Sequence, residues 1–386
     1  MGLILKYNFR NLFVRRISTL MTVLGVAMVV AVFVVLMALA QGLRHVGQVT
    51  GDPLTAIVIQ SGTNAETSSG IKDETSDRFE SLDSVPKDAH GPVVSRDLYV
   101  VLCLPRPGGV APANVVARGV TGRAFELRPE VQVDGGARPR GSDIVVSRIL
   151  ADRFANMNVG DRPHFGRRDW NVIAHFDAGG SAWESEIWVD LRELGTDFKR
   201  ENACSSMTLK VNRPEDLAKI NAELAASKDL SGLKAMSVRD YFAGQTQSAG
   251  VLTVIGMFIT IMLSFGAGLG AMNTMYAAIG NRAREIGTLR ALGFSRTLIL
   301  FSFLFESALI GLAGGAAGCV FALPVNGLTT GTLNWVSFAE TAFRFRVTPA
   351  MMAVGLLIGA VVGAVGGFLP ALAAARRPIL DALRSN

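Results

Sequence analysis

The sequence predicts an α-helical membrane protein: four transmembrane helices, with a large mixed α/β extracytoplasmic domain inserted between the first and the second. Three observations carry this. Four long stretches are apolar and almost free of charge: Ile17–Ala40, Val251–Ala278, Leu298–Leu323 and Met351–Ala375. Each exceeds the ~20 residues that a helix needs to cross about 30 Å of hydrocarbon. The intervening residues 43–248 read instead as an ordinary domain, with 25 Lys/Arg against 28 Asp/Glu. Finally, the chain as a whole is 49% apolar and 18% charged, against about 25% charged in soluble domains.

In chain order, residues 1–16 read as a cytoplasmic amphipathic helix, with Leu5, Phe9, Leu12 and Phe13 toward lipid and Asn8, Asn11 and Arg15 toward water. The first span follows at 17–42. Ala38-Leu39-Ala40 has the look of a signal-peptidase site and Arg15-Arg16 of a twin-arginine signal. The apolar run Ile17–Ala40 is longer than the 7–15 residues or so of a cleavable segment, so the expectation is a retained span.

Within 43–248, seven Val- and Ile-rich segments read as strands: Ala56–Gln60, Leu98–Leu104, Asn114–Val120, Asp143–Ser147, Asn171–Phe176, Glu186–Val189 and Met207–Val211. Ile149–Asn156 and Glu215–Ser227 read as helices, the second opening after Pro214 with acids in its first turn. Ser61–Ser84, rich in Ser, Thr, Asp and Glu, reads as a solvated loop. The second span is expected at 249–278, a cytoplasmic loop at 279–296, the third span at 297–323, a short external loop at 324–347, the fourth span at 348–375 and a cytoplasmic tail at 376–386.

Three basic clusters set the topology. Lys6, Arg10, Arg15 and Arg16 precede the first span; Arg282, Arg284, Arg290 and Arg296 lie between the second and third; Arg376, Arg377 and Arg384 follow the fourth. Basic residues beside short loops stay in the cytoplasm, so both termini and the 279–296 loop are expected inside. The net charge of +6 is then a topology signal, since 43–248 is slightly acidic, and no nucleic-acid partner is implied.

Arg282, Arg284, Glu285, Ile286, Leu289, Arg290, Ala291 and Leu292 have the pattern of a short amphipathic helix, with Gly293 as its stop and Ser295 as the cap of the next span. Charge alone leaves two readings for it, a handle for another protein or an anchor on lipid headgroups. Glu306 lies inside the third span, where a carboxylate is costly without a partner. A hydrogen bond to a neighbouring helix is the expectation, with exposure near the membrane edge as the alternative. Gly355, Gly359, Gly363 and Gly367 repeat every four residues along the fourth span, and Gly266/Gly270 and Gly314/Gly318 add further small-residue pairs suited to close helix packing.

No catalytic residue or metal site is assigned. His45, His90, His164 and His175 are scattered without ligand spacing, and nucleophile motifs are lacking. Cys103 and Cys204 share the extracytoplasmic segment, and their pairing stays open.

These features resemble the FtsX-like permease family, the permease subunits of MacB- and LolC/LolE-type ABC transporters. The resemblance spans nearly the whole chain. It rests on Arg10-Asn11…Arg15-Arg16…Leu24-Gly25, on Ser147-Arg-Ile-Leu-Ala-Asp-Arg-Phe-Ala-Asn156 with Val159-Gly-Asp161, and above all on Arg284-Glu-Ile-Gly-Thr-Leu-Arg-Ala-Leu-Gly293 and Pro370…Ala374-Ala-Arg-Arg-Pro-Ile-Leu-Asp-Ala-Leu-Arg384. It implies a coupling helix over Arg284–Gly293 seated in an ATPase groove, and a stalk made by about Gln41–Gly47 and Tyr241–Gln247. It also implies residence in the bacterial inner membrane with the large domain periplasmic. No GxxxxGK[ST] occurs, so ATP and Mg are expected on a partner ATPase, in two copies, with a second permease copy or a paralogue. A periplasmic adaptor, membrane-fusion protein or lipid/lipoprotein carrier is a further candidate partner.

The implied function is transmission of ATP-driven motion to the outside domain for export or extraction of a lipid, lipoprotein or other amphiphile. An alternative is a mechanotransmitting regulator that activates a periplasmic cell-wall hydrolase. A plain membrane-anchored binding protein would have no use for the Arg284–Gly293 segment.

Overall fold

In the computed structural model, residues 16–246, 248–376 and Pro378 are described. The expected N-terminal amphipathic helix and nearly all of the C-terminal tail lie outside them. The chain forms two compact units. One comprises 1–41, 249–328 and 345–386; the other comprises 42–248 together with 329–344.

The first unit is helical. Helix α1 (Arg16–Val49) begins in this unit and its last turns belong to the second. Four helical stretches, Ile17–Val49, Val238–Gly280, Arg296–Val325 and Pro349–Arg376, are long and apolar enough to cross a membrane; residues 42–49 and 238–248 of the first two belong to the second unit. Helices α10 (Arg296–Ala322) and α11 (Pro349–Arg376) make the closest approach of the bundle. A Cβ at Gly311 would fall on the Gly359 carbonyl oxygen, and one at Gly363 on the carbonyl of Ser307. Between apolar helices in lipid such contact replaces the missing hydrophobic drive. Gly314 and Gly318 of α10 press on Val26, Ala27 and Val30 of α1, and Gly355 of α11 packs against Val30 and Cys319. Gly367 packs on Ser307. At Gly266 and Gly270 nothing lies within 4 Å of a Cβ. They line an open groove with Met21, Thr22, Met28 and Thr274.

The second unit is mixed α/β. Its nine-stranded sheet has the order β15-β1-β14-β5-β6-β12-β8-β11-β7. In chain order these are β1 Thr55–Gln60, β5 Val94–Leu104, β6 Ala113–Val120, β7 Gln132–Val133, β8 Asp143–Ser147, β11 Asn171–Asp177, β12 Glu186–Asp190, β14 Ser206–Lys210 and β15 Leu233–Ser237. Pairs β6·β12 and β8·β11 run parallel and the rest antiparallel. Two cores flank the sheet. One gathers Leu98, Val115, Ile144, Trp170, Ile187 and Leu194; the other Val58, Phe79, Met207, Leu209, Ile220 and Leu224.

Two sequence expectations are corrected here. Ser61–Ser84 is ordered: a 3-10 turn at Glu66–Ser68, strand β2 (Ile71–Lys72) and helix α2 (Asp73–Ser81) bury Glu66, Ile71 and Phe79. Its polarity misled because one face of α2 is solvated while Phe79 carries the burial. Segment 324–347, expected as a short loop, is likewise more than a loop. Strands β16 (Thr329–Leu333) and β17 (Glu340–Arg344) pair as a hairpin that belongs to the second unit. The open question of the cysteines is answered: Cys103 is exposed, Cys204 is buried, and both are free thiols.

Candidate functional site

The 279–296 segment forms helix α9 (Ala283–Ala291). Gly293, at φ +94°, lets the chain turn out of it, and the Ser295 hydroxyl caps α10 by accepting from the Leu298 N–H. The helix is two-faced. Ala283, Ile286 and Gly287 are buried, with Ile286 packed among Met275, Ile279, Phe303 and Ala371. Arg284, Glu285, Thr288, Ala291 and Leu292 are exposed, and Leu289 and Arg290 are half-buried.

Arg282, at the start of this helix, points inward. Its guanidinium binds the Glu306 carboxylate of α10 at 3.0 and 3.2 Å, with both side chains less than a tenth exposed. Charges at this depth survive only as a pair, so the pair joins the loop to the third span. Of the eight residues singled out by sequence, Arg282 and Ile286 thus hold α9 in place, and Arg284, Glu285, Ala291 and Leu292 form the face it offers. Leu292 is 72% exposed.

A second constellation lies in the α/β unit. Arg118, at the middle of β6, is fully buried. It makes bidentate pairs with Glu66 (2.7 and 2.9 Å) and with Glu186 (2.7 and 2.8 Å), and reaches Asp97 at 3.4 Å. Arg128 is bound to Asp97 and to the Thr208 hydroxyl, and its guanidinium stacks 4.6 Å from the Trp183 ring centroid. Ser206 donates to Glu66, and the Trp188 indole N–H donates to Glu186.

Burial would push the Glu66 carboxyl up, but the Arg118 charge and hydrogen bonds, with Ser206, hold it below the usual range. Glu186 goes the other way. Burial dominates, the Glu66 charge adds to it, and its carboxyl is raised despite Arg118. Burial also pushes the Cys204 thiol up to about 12, so that thiol is inert.

The network ties together elements distant in sequence. Helix α7 (Val238–Gln245), at the end of the domain, presents the Tyr241 hydroxyl to the Glu66 N–H, and Phe242 packs edge-on against Trp183. The hairpin is fastened to the same unit. Glu340 is clamped between Arg106 and Arg153, Asn334 donates to Gln245 of α7, Asn114 donates to the Phe338 carbonyl, and the Ala342 N–H donates to Ser185. Sequence reasoning missed all of this. One signal was available: a lone arginine inside the apolar strand Asn114–Val120 has to be buried, and a buried arginine needs carboxylates. Among the described residues no group of His, Cys, Asp and Glu is arranged to hold a metal.

Residues 19–227 match the MacB-like periplasmic core domain, and residues 257–379 match the FtsX-like permease C-terminal domain. The chain belongs to the MacB-type, FtsX-like family of ABC transporter permeases. The macrolide export ATP-binding/permease protein MacB of Bartonella quintana is 24% identical over 392 residues, covering 94% of this chain and 56% of that protein. An uncharacterized ABC transporter permease, YknZ of Bacillus subtilis, is 29% identical over 206 residues, covering 52% of this chain and 49% of that one. The chain thus spans about half the length of these curated relatives. The crystal structure of the periplasmic region of MacB from Actinobacillus actinomycetemcomitans aligns with TM-score 0.37 at 13% identity, over 50% of this chain and 92% of that one. In this MacB-type permease, the buried charge network falls within the periplasmic-core match, and α9, the Arg282–Glu306 pair and the hairpin fall within the permease match.

Proposed function

We propose that this permease relays the motion of an ABC-type ATPase, carried on a partner chain and present in two copies, to its α/β unit. The observation that carries the reading is α9: a short helix pinned by Ile286 and the Arg282–Glu306 pair, with Arg284, Glu285, Ala291 and Leu292 turned outward. Such a helix can be pushed without unfolding, because its anchor is a buried ion pair rather than a flexible link. ATP and Mg belong to the partner, since the chain has no phosphate loop. The basic clusters support a cytoplasmic side for α9 and both termini and a periplasmic side for residues 43–248. A second permease, identical or paralogous, would match the second ATPase. The motion would serve export or extraction of a lipid, lipoprotein or other amphiphile, with activation of a cell-wall hydrolase as the alternative.

The test is charge reversal on the outward face. The double substitution Arg284→Glu/Glu285→Arg is expected to abolish co-purification with the ATPase and stimulation of its hydrolysis, while leaving the permease folded in detergent. Retention of the ATPase by that variant sinks the coupling assignment. Recovery of a cell-wall hydrolase from an envelope extract, rather than a carrier or adaptor, would favour the regulator reading.

A further inference from the structure

The buried network of the α/β unit contains two guanidiniums, Arg118 and Arg128, and three carboxylates, Glu66, Asp97 and Glu186, none more than 4% exposed. Within this network one negative charge is therefore left over, in surroundings where an uncompensated charge is far costlier than a neutral group. The three carboxylates are not equivalent. Glu66 accepts from Arg118 at both oxygens and also from Ser206. Asp97 accepts from both arginines, Ser95 and Thr208. Glu186 Oε2 accepts from Arg118 and Trp188, but Oε1 accepts from Arg118 alone.

Glu186 is also the member of the network that lines a cavity. That cavity, of about 30 Å³, is walled by Tyr99, Gln245, Asn334, Ser337 and Glu340, and it has room for one or two waters. Its walls come from the sheet, from α7 and from the β16–β17 hairpin, all within the same unit. The charged and titratable groups around Glu186 are Arg118 of β6, Glu66 of the 3-10 turn, Tyr99 and Asp97 of β5, Arg128 beyond α3 (Ala124–Leu127), Tyr241 of α7, and Glu340 of β17. Glu340 is paired with both Arg106 and Arg153, a cluster that carries one positive charge more than its carboxylate.

We propose that Glu186 takes up a proton from water in this cavity, and that this makes the joint between α7 and the hairpin sensitive to the pH of the surrounding compartment. The proton passes from hydronium to the Glu186 carboxylate, leaving a water and a carboxylic acid on the cavity wall. The network is then neutral and the walls close on a satisfied group. Losing the proton returns a carboxylate that Arg118 and Trp188 still bind but whose charge the network's two guanidiniums do not balance, on a cavity wall shared with Asn334 and Gln245, and the hydrogen bond that fastens the hairpin to α7 loosens. The raised carboxyl of Glu186, caused first by burial and then by the Glu66 charge, supports the same site. This inference stands whether or not an ATPase drives the permease.

The full chain in detergent tests it twice. Infrared spectra over a series of rising pH should show a protonated-carboxyl band in the wild type that persists above the ordinary glutamate range, then disappears, and is absent in Glu186→Gln. Hydrogen exchange of residues 329–344, corrected for intrinsic rates, should lose protection about tenfold per pH unit while that proton leaves. In Glu186→Gln it should stay level. A wild type without the band overturns the proposal, and this reading needs no variant to fold. So does a hairpin whose pH response is the same in Glu186→Gln, or one that answers to sodium concentration instead of pH.

Discussion

Arg118 shows how much one side chain can decide. All of its N–H groups are committed to carboxylates, so Arg118→Met would strand Glu66 and Glu186 as buried charges. Removing one partner of such a cluster costs about 3–5 kcal/mol, and thermal unfolding of the full chain in detergent should show a loss of that size. The acid side has a defined sign. Glu66 is held below the usual carboxyl range, so its stabilisation is fully present above the ordinary glutamate range and lost as the pH falls through the lowered value. Glu66→Gln should flatten the acid limb of the stability profile while lowering its plateau. The Arg282–Glu306 pair gives a parallel case in the helical unit. Glu306→Gln should be strongly destabilising, and Arg282→Glu/Glu306→Arg should recover part of the loss, as a double-mutant cycle in the same assay would register.

For the elements, packing depends on what lies opposite each position. A Cβ at Gly311, Gly359 or Gly363 would meet backbone of the facing helix, which cannot move aside as a side chain can. Gly359→Leu should therefore force α10 and α11 apart, at a cost above the ~1–3 kcal/mol of ordinary overpacking, and reduce the yield of folded protein. Gly270→Leu, with nothing within 4 Å of a Cβ, should be accepted in the same expression assay. Both glycines read alike in sequence, since spacing gives a helix face but not its neighbour. The strands were legible in detail because Val- and Ile-rich runs between turn residues have few alternatives. Helix α2 was not: in Asp73–Ser81 one buried Phe79 amid polar residues is too weak a period to stand out.

In the molecule as a whole, the hairpin and α9 are where chain connectivity matters. The helical unit and the α/β unit are joined at four points in the sequence, near residues 41, 248, 328 and 344, so the segment between the third and fourth spans contributes to the α/β unit as the first two spans do. Glu340→Ala removes the clamp on Arg106 and Arg153, and should raise hydrogen exchange over 329–344 while sparing α9. The topology has its own check. A membrane-impermeant maleimide applied to spheroplasts should label Cys103, which is exposed, and leave the buried Cys204 and Cys319 unmodified until the protein is denatured.

Sequence by itself determined the four apolar spans, the inserted α/β domain, the short amphipathic α9 and the family, because hydropathy, charge placement and strand pattern are local properties written in consecutive residues. The tertiary structure alone decided that Arg282 belongs to Glu306, that Arg118 joins Glu66 to Glu186, and that residues 329–344 pack with the domain. Each of those pairs residues far apart in the chain. Which charge meets which is set by burial and geometry after folding, when a desolvated group must take the nearest partner that the packed backbone brings to it.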